Sequence, residues 1–156
     1  MTFTIIDDFL DNPNDHLEEI LDGQFIDYDS NVGVFKNIQS RHFDLVSDKL
    51  LDLFPNTSVG YNFVRMSPEG QQEPNFIHDD SMMGDLTCLL YLSKDHPIDD
   101  GTTIYDSSNL KCIDIRSKFN RMIIFDSNLS HSRNIFSNFG EGKSSRLIQV
   151  IFLNKN

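Results

Sequence analysis

Short β-prone runs separated by turn-rich pieces fill the chain from about residue 58 onward, and they constrain its fold most strongly. Eight such runs follow one another: SVGYNFVRMS, NFIHDD, LTCLLYLS, GTTIYDS, KCIDI, RMIIFDS, HSRNIFS and SRLIQVIFLN. The pieces between them, such as SPEGQQEP, KDHPIDDG and NFGEGK, are rich in residues that favour turns. This succession predicts a β-sandwich or jelly roll.

Two helices are predicted ahead of the strands. DNPNDHLEEILDG predicts the first, with Asn12 as its N-cap, Pro13 at the first helical position and Gly23 just past the end. SRHFDLVSDKLLDLF predicts the second, with Ser40 as its N-cap. One stripe of this second helix is apolar: Phe43, Val46, Leu50 and Phe54. The fold class is therefore mainly β with N-terminal helices (α+β).

The length and charge of the chain limit its class. With 156 residues we expect a single domain spanning 1–156, with helical support over about 12–55 and a jelly-roll core over about 58–154. A formal net charge of -11 argues against a broad nucleic-acid surface and against docking on anionic membranes. No stretch has the roughly 20 apolar residues that a membrane span needs. Oligomeric state is left open.

The two cysteines, Cys88 and Cys112, lie in separate β-prone runs without a C-x-x-C spacing. This pattern favours small, reduced, unlinked side chains over a zinc or redox motif. The opening MTFTIIDDFL also lacks the basic and apolar regions of a signal peptide. We therefore expect a cytoplasmic location.

The segment NFIHDD carries the first candidate site residues. If it is a strand, His78 and Asp80 project from the same face, whereas Asp79 faces the other way. A lone H-x-D pair is a weak signal, and a surface turn is the alternative. The other histidines, His16 and His42 in the predicted helices and His96 in a loop, are expected to be solvated.

A third candidate, His131, follows the apolar run RMIIFDS. Together with His78 and Asp80 it would give two imidazoles and one carboxylate, the facial triad of non-haem Fe(II) oxygenases. A structural zinc site would instead fill all four positions with protein ligands, mostly Cys and His.

Arg146 opens the last predicted strand on the same side as Ile148, Val150 and Phe152. A guanidinium that points with apolar residues toward a core is costly unless an anion meets it. Its planar fork matches a carboxylate. Fraying of Arg146 to the surface at the strand's start is the alternative.

These residues carry a resemblance to a known family. The order His78-x-Asp80, His131, Arg146 resembles that of the 2-oxoglutarate- and Fe(II)-dependent dioxygenases, whose core is a double-stranded β-helix (jelly roll, cupin-like). LTCLLYLSKD, GTTIY and KFNRMIIFDS are particularly similar to the prolyl-hydroxylase-like branch. The likeness runs along most of residues 2–154 and is strongest over 75–153. IDDFLDNP and RLIQVIFLN also resemble a group of 2-oxoglutarate oxygenases of unassigned substrate.

The resemblance implies roles for individual residues. His78, Asp80 and His131 match the iron ligands, and Arg146 matches the residue that pairs with the distal carboxylate of 2-oxoglutarate. Tyr91 matches a tyrosine whose hydroxyl binds the same carboxylate; its alternative role is that of a core aromatic. This chain departs from the prolyl hydroxylases in the segment DDGTTIY, where Asp100 replaces the first of two glycines.

The implied activity is that of an Fe(II)-, 2-oxoglutarate- and O2-dependent dioxygenase. It would hydroxylate a peptide or protein residue, or a small molecule, and release succinate and CO2. Two alternatives are a non-catalytic metal-binding jelly-roll domain and a cupin-type metal enzyme that does not use 2-oxoglutarate. A nucleic-acid demethylase of the same fold is disfavoured by the acidic charge.

Overall fold

The computed structural model describes residues 3–31, 33–134 and 137–156. Within these ranges it describes every side chain except that of Cys112. Within these ranges the chain forms ten strands, two α-helices and one short 3-10 helix (Gly142–Ser144). The helices are α1 (Pro13–Asp22) and α2 (Leu45–Leu53). The strands are β1 (Phe3–Ile6), β2 (Ile26–Ser30), β3 (Gly33–Ser40), β4 (Thr57–Ser67), β5 (Leu86–Tyr91), β6 (Gly101–Tyr105), β7 (Lys111–Arg116), β8 (Met122–Asp126), β9 (His131–Arg133) and β10 (Arg146–Lys155).

The strands form two antiparallel sheets. The larger has seven strands in the order β1-β8-β5-β10-β4-β3-β2, and the smaller has three in the order β7-β6-β9. Apolar residues from both sheets form one buried cluster: Leu89, Tyr91, Ile104, Ile115, Ile123, Phe125 and Ile148. The two sheets therefore face each other, as the predicted sandwich requires.

The other face of the large sheet packs against the helices. In β5, Cys88 and Leu90 belong to this second core, whereas Leu89 and Tyr91 point toward the small sheet. The alternation follows from the two-residue repeat of a strand. It explains why every residue of β5 is buried.

The N-terminal helices match the prediction only in part. The first helix begins at Pro13 and is followed by Gly23, as predicted, but Asn12 makes no side-chain capping bond. The second begins at Leu45 instead of following Ser40, because Asp44 accepts hydrogen bonds from the first-turn amides as its N-cap. Ser40 ends β3, and Phe43 lies outside the helix with 75% of its surface exposed.

A β-hairpin was missed in the segment assigned to helical support. Strands β2 and β3 pair with each other, and β3 extends the large sheet next to β4. Every residue of β2 is exposed, so burial of an apolar face does not explain its position. Its hydrogen bonds to the neighbouring strand hold it in place.

His16 also differs from the prediction, because it is buried instead of solvated. Its side chain is 2% exposed, and its Nε2 lies 2.8 Å from the Gln149 Oε1. The Gln149 amide nitrogen in turn donates to Asp44 and Asn62. This polar network joins α1, β10 and the cap of α2 beneath the helices. No helix in the described ranges is long and apolar enough to cross a membrane.

Candidate functional site

His78, Asp80 and His131 come together in the structure. One donor atom from each lies within 4.8 Å of the others, so the group could hold a metal ion. The Asp80 carboxylate lies between the imidazoles, with Oδ1 at 3.6 Å from the Nε2 of His78 and Oδ2 at 3.1 Å from the Nε2 of His131. The His131 side chain is 8% exposed and that of His78 is 40% exposed, so the group has an open side.

The two histidines are placed by backbone pairing. His78 and His131 form an isolated antiparallel bridge, in which each amide donates to the other's carbonyl at 3.0 and 2.8 Å. NFIHDD was predicted as a strand, but within it only this bridge residue pairs. His78 and Asp80 nevertheless converge, because the Asp80 amide donates to the Ser127 carbonyl at 2.8 Å and fixes the turn.

Hydrogen bonds to backbone carbonyls orient both imidazoles. The Nδ1 of His78 lies 3.0 Å from the Phe76 carbonyl oxygen, and the Nδ1 of His131 lies 3.0 Å from that of Leu129. A carbonyl accepts from Nδ1–H, and in a neutral imidazole with this tautomer the Nε2 lone pair is available to a metal ion. This tautomer and this support are typical of metal-binding histidines.

The carboxylate of Asp80 has its own support. Thr87 donates to its Oδ2 at 3.4 Å, and the Thr87 hydroxyl lies 2.9 Å from that of Ser127. Asp79 is exposed and accepts from Ser81 instead, as its predicted outward facing requires. Two neutral imidazole nitrogens and one carboxylate form a donor set that fits a divalent transition metal such as Fe(II).

Arg146 lies inside the protein, not frayed at the surface. Its side chain is 7% exposed, and its Nε lies 3.6 Å from the Oδ1 of Asp100, whose side chain is 2% exposed. Both atoms are buried without a hydrogen-bond partner in the part of the chain that the structure describes. The Asp100 carboxylate therefore supplies a counter-charge that sequence reasoning did not assign.

Glycine at position 101 makes this placement of Asp100 possible. The backbone of Gly101 has a φ of +151°, and a Cβ there would lie 1.9 Å from the Ile115 carbonyl oxygen. Only glycine fits so close to the neighbouring strand. Of the two glycines that are usual here in the prolyl hydroxylases, this chain keeps Gly101, which the close approach to the neighbouring strand requires.

The hydroxyl of Tyr91 lies in the same interior. The side chain is 2% exposed, and its oxygen lies 2.5 Å from the Thr102 hydroxyl. Burial raises the pKa of Tyr91 well above its usual value, while the nearby Thr102 hydroxyl and the Arg146 charge oppose that rise. Tyr91 is therefore a neutral hydroxyl within electrostatic reach of Arg146, next to a second hydroxyl.

Three further charged residues near this interior were missed by sequence reasoning: Arg65, Glu73 and Arg133. Arg133 contacts the Glu73 Oε2 through Nη1 at 3.2 Å, with side chains only 16% and 11% exposed. Burial, followed by the charge of Arg146, lowers the pKa of Arg133 to about 10. Burial likewise lowers the pKa of Arg65, and the carboxylate of Glu73 opposes that effect.

One sequence signal for these residues is the face of the strand on which each side chain lies. Arg133 follows His131 by two positions in β9 and so shares its face. In the β4–β10 pairing Arg65 lies opposite Ile148, two residues along the strands from the Ser67–Arg146 pair. The pairing that brings them together cannot be predicted from single runs.

No protein-family model matches the chain, and no curated protein matches it in sequence. Solved structures do match. A prolyl hydroxylase from Trichoplax adhaerens, in complex with a peptide fragment of the hypoxia inducible factor oxygen degradation domain, matches with a TM-score of 0.71 and 18% identity, covering 98% of this chain and 83% of that one. A Pseudomonas putida prolyl-4-hydroxylase matches with a TM-score of 0.65 and 15% identity, covering 99% and 92%.

A third neighbour is not a hydroxylase by name. The epimerase SnoN from nogalamycin biosynthesis, in complex with Fe3+, alpha ketoglutarate and nogalamycin RO, matches with a TM-score of 0.60 and 13% identity, covering 97% of this chain and 78% of that one. The structural neighbours are thus prolyl hydroxylases and other 2-oxoglutarate- and Fe(II)-dependent oxygenases, and the predicted resemblance is confirmed. At these identities the likeness shows the fold alone.

Proposed function

We propose that the chain is a non-haem Fe(II)- and 2-oxoglutarate-dependent dioxygenase that hydroxylates a peptide or protein residue, or a small molecule. The observation that carries this proposal is the His78, Asp80 and His131 group, whose Nε2 atoms and carboxylate converge within 4.8 Å. Three protein ligands would leave coordination positions for other molecules. The overall likeness to 2-oxoglutarate oxygenases favours this function over a non-catalytic binding domain.

In this proposal His78, Asp80 and His131 hold Fe(II). The chemistry that Fe(II), O2 and 2-oxoglutarate supply together is oxidation of a substrate coupled to release of succinate and CO2. The chain's own residues keep the histidines in the ligating tautomer through the Phe76 and Leu129 carbonyls. They also bury most of the site away from water.

The charges of the interior fit a dicarboxylate. Three arginines, Arg65, Arg133 and Arg146, face two carboxylates, Glu73 and Asp100, which leaves one positive charge in excess. A divalent metal ion on Asp80 would add one more. A dianion such as 2-oxoglutarate would balance these two charges, which favours its binding here.

Arg146 and Tyr91 are the proposed anchors for the distal carboxylate. The guanidinium is buried, and none of the described residues forms a hydrogen bond with its Nε. The Tyr91 hydroxyl, held by Thr102, is neutral and can donate. A carboxylate next to them would accept charge-assisted hydrogen bonds in a site with little water.

Release of succinate tests the proposal. Purified protein with Fe(II), O2 and 2-oxoglutarate is incubated with a panel of proline-containing peptides, free amino acids and other small metabolites. We expect at least one of them to raise succinate formation, and Asp80→Ala to abolish the increase. Asp79→Ala, at the exposed neighbouring carboxylate, is the matched control and is expected to keep the activity. Failure of the wild type to bind 2-oxoglutarate would refute the proposal.

A further inference from the structure

Arg133 is a largely buried cation that the proposed function counts toward the charge of the interior without giving it a binding role. It ends strand β9, two residues after His131 and on the same face. Its cross-strand partner in β6 is Thr102. Its side chain lies in the interior that also holds Arg146. A guanidinium costs free energy to bury unless its charge is paired and its hydrogen bonds are satisfied.

One edge of the Arg133 guanidinium is firmly held. Its Nη1 donates to the Glu73 Oε2 at 3.2 Å. The same carboxylate accepts from Ser67 at 2.7 Å, Gln71 at 3.0 Å and Asn138 at 3.1 Å. Glu73 is thus saturated and fixed, which gives Arg133 one orientation.

The other edge of the guanidinium has no partner. Both Nε and Nη2 of Arg133 are buried and lack a hydrogen-bond partner among the described residues. A buried donor without a partner is unfavourable, and two on one guanidinium are more so. These nitrogens are the donors that match a carboxylate in bidentate fashion.

Arg133 also lies close to a second guanidinium. The cross-strand partner of Arg133, Thr102, lies two residues after Asp100, whose Oδ1 is 3.6 Å from the Arg146 Nε. That Nε lacks a hydrogen-bond partner among the described residues. Two cations held together in an interior repel each other unless an anion lies between them. Asp100 and Glu73 each face one of the two arginines, and Arg65 adds a further charge.

We propose that Arg133 and Arg146 together bind one carboxylate, the distal carboxylate of a dicarboxylate 2-oxo acid. This inference rests on the proposed function and extends it, because it adds a second arginine to the anchor. The carboxylate accepts from Nε and Nη2 of Arg133 and from the guanidinium of Arg146. The bound carboxylate satisfies the unpaired donors and also places a negative charge between the two positive ones.

The test compares two 2-oxo acids that share the chelating end. 2-Oxoglutarate carries the distal carboxylate, whereas 2-oxobutyrate does not. Binding of each is measured by calorimetry to the Mn(II)-loaded protein with oxygen excluded. We expect Arg133→Gln to weaken 2-oxoglutarate binding by about tenfold or more, since charged hydrogen bonds are lost, and to leave 2-oxobutyrate binding unchanged.

Two further variants separate this role from a structural one. Arg133→Lys keeps the charge but loses the fork, so its affinity for 2-oxoglutarate is expected to fall between those of wild type and Arg133→Gln. Arg116→Gln removes an exposed arginine that pairs with Asp99 and is expected to bind like wild type. Mn(II) affinity is measured for each variant and is expected to stay unchanged.

The outcomes distinguish the two proposals. If the wild type fails to bind 2-oxoglutarate, the proposed function fails, and this inference fails with it. If the wild type binds it and Arg133→Gln binds it equally well, the second anchor alone is wrong. Equal weakening of both 2-oxo acids would also overturn the inference, because the effect would not then depend on the distal carboxylate.

Discussion

Asp100 and Arg146 face each other inside the protein, with Oδ1 and Nε 3.6 Å apart. Both atoms are buried, and neither has a hydrogen-bond partner within residues 3–31, 33–134 and 137–156. The separation is too long for a hydrogen bond and short enough for strong attraction in an interior. The chain itself therefore supplies one carboxylate to meet the buried charge of Arg146. A ligand carboxylate that binds Arg146 has to come close to the negative charge of Asp100.

Asp100→Asn is expected to tighten 2-oxoglutarate binding by about five- to tenfold, because it removes a like charge from the neighbourhood of the ligand. The amide keeps the shape of the side chain. Calorimetry with Mn(II) and without oxygen measures the change. Asp99→Asn, at the exposed neighbouring aspartate, is the control and is expected to bind like wild type.

The same substitution is expected to lower the stability of the ligand-free protein by about 3 kcal/mol or more, since it leaves Arg146 buried without its counter-charge. Saturating 2-oxoglutarate then raises the thermal midpoint more in Asp100→Asn than in wild type. Weaker binding by Asp100→Asn would show that Asp100 supports the ligand instead of competing with it.

The grouping of His78, Asp80 and His131 could be predicted from the sequence, whereas its charged surroundings could not. His78 and Asp80 are neighbours in the chain, and His131 follows an apolar run, so local patterns suffice for them. Asp100 and Arg133 look like ordinary polar residues next to a turn. Their burial depends on which strands pair, and a single sequence does not give that pairing.

The N-terminal region shows the same limit. His16 lies among acidic residues in α1, which predicted a solvated side chain, but Gln149 at the other end of the chain provides its buried partner. Asp44 rather than Ser40 caps α2, because a capping box with Ser47 satisfies the first amides of the helix there. In both cases a specific hydrogen bond overrides the local pattern.

His131→Ala is expected to weaken Mn(II) binding by about tenfold or more, because the group loses one of its three ligands. Metal titration followed by calorimetry measures the affinity. His42→Ala changes an exposed histidine in the loop before α2 and is the matched control. Unchanged affinity in His131→Ala would remove this residue from the metal site.

Asp44→Ala is expected to destabilise the protein by about 1 to 2 kcal/mol through loss of the α2 N-cap. Urea unfolding measures the free energy, and Asp52→Ala, at an exposed position of the same helix, is the control. An equal effect of the two substitutions would contradict the capping role.

The contribution of Asp44 is also expected to depend on pH. Burial would raise the pKa of Asp44, but hydrogen bonds from Ser47, Arg41 and Gln149 outweigh it and hold the pKa below its ordinary value. The stability from a lowered carboxyl pKa is present above the ordinary pKa and is lost as the pH falls through the lowered one. The difference in unfolding free energy between wild type and Asp44→Ala is therefore expected to shrink below about pH 4.

Cys88 is expected to be unreactive in the native protein. It is a free, buried thiol, and burial raises its pKa to about 12. That both thiols stay reduced and unlinked remains a prediction, because the side chain of Cys112 lies outside the described structure. In a Cys112→Ser variant prepared without reductant, a thiol reagent is expected to label one group only after unfolding. Rapid labelling of the native variant would contradict the burial of Cys88.

Arg146→Gln is expected to weaken 2-oxoglutarate binding by about ten- to a hundredfold while Mn(II) affinity barely changes, because in the proposed function Arg146 anchors a carboxylate and does not bind the metal. The single variant also leaves Asp100 buried without a counter-charge, which by itself destabilises the fold. The double variant Arg146→Gln/Asp100→Asn removes both charges and is therefore expected to be more stable to urea than Arg146→Gln. Its 2-oxoglutarate affinity is expected to remain well below that of Asp100→Asn. If all four proteins of this cycle bind 2-oxoglutarate equally, Arg146 is not the anchor; if only their stabilities differ, the buried pair serves folding alone.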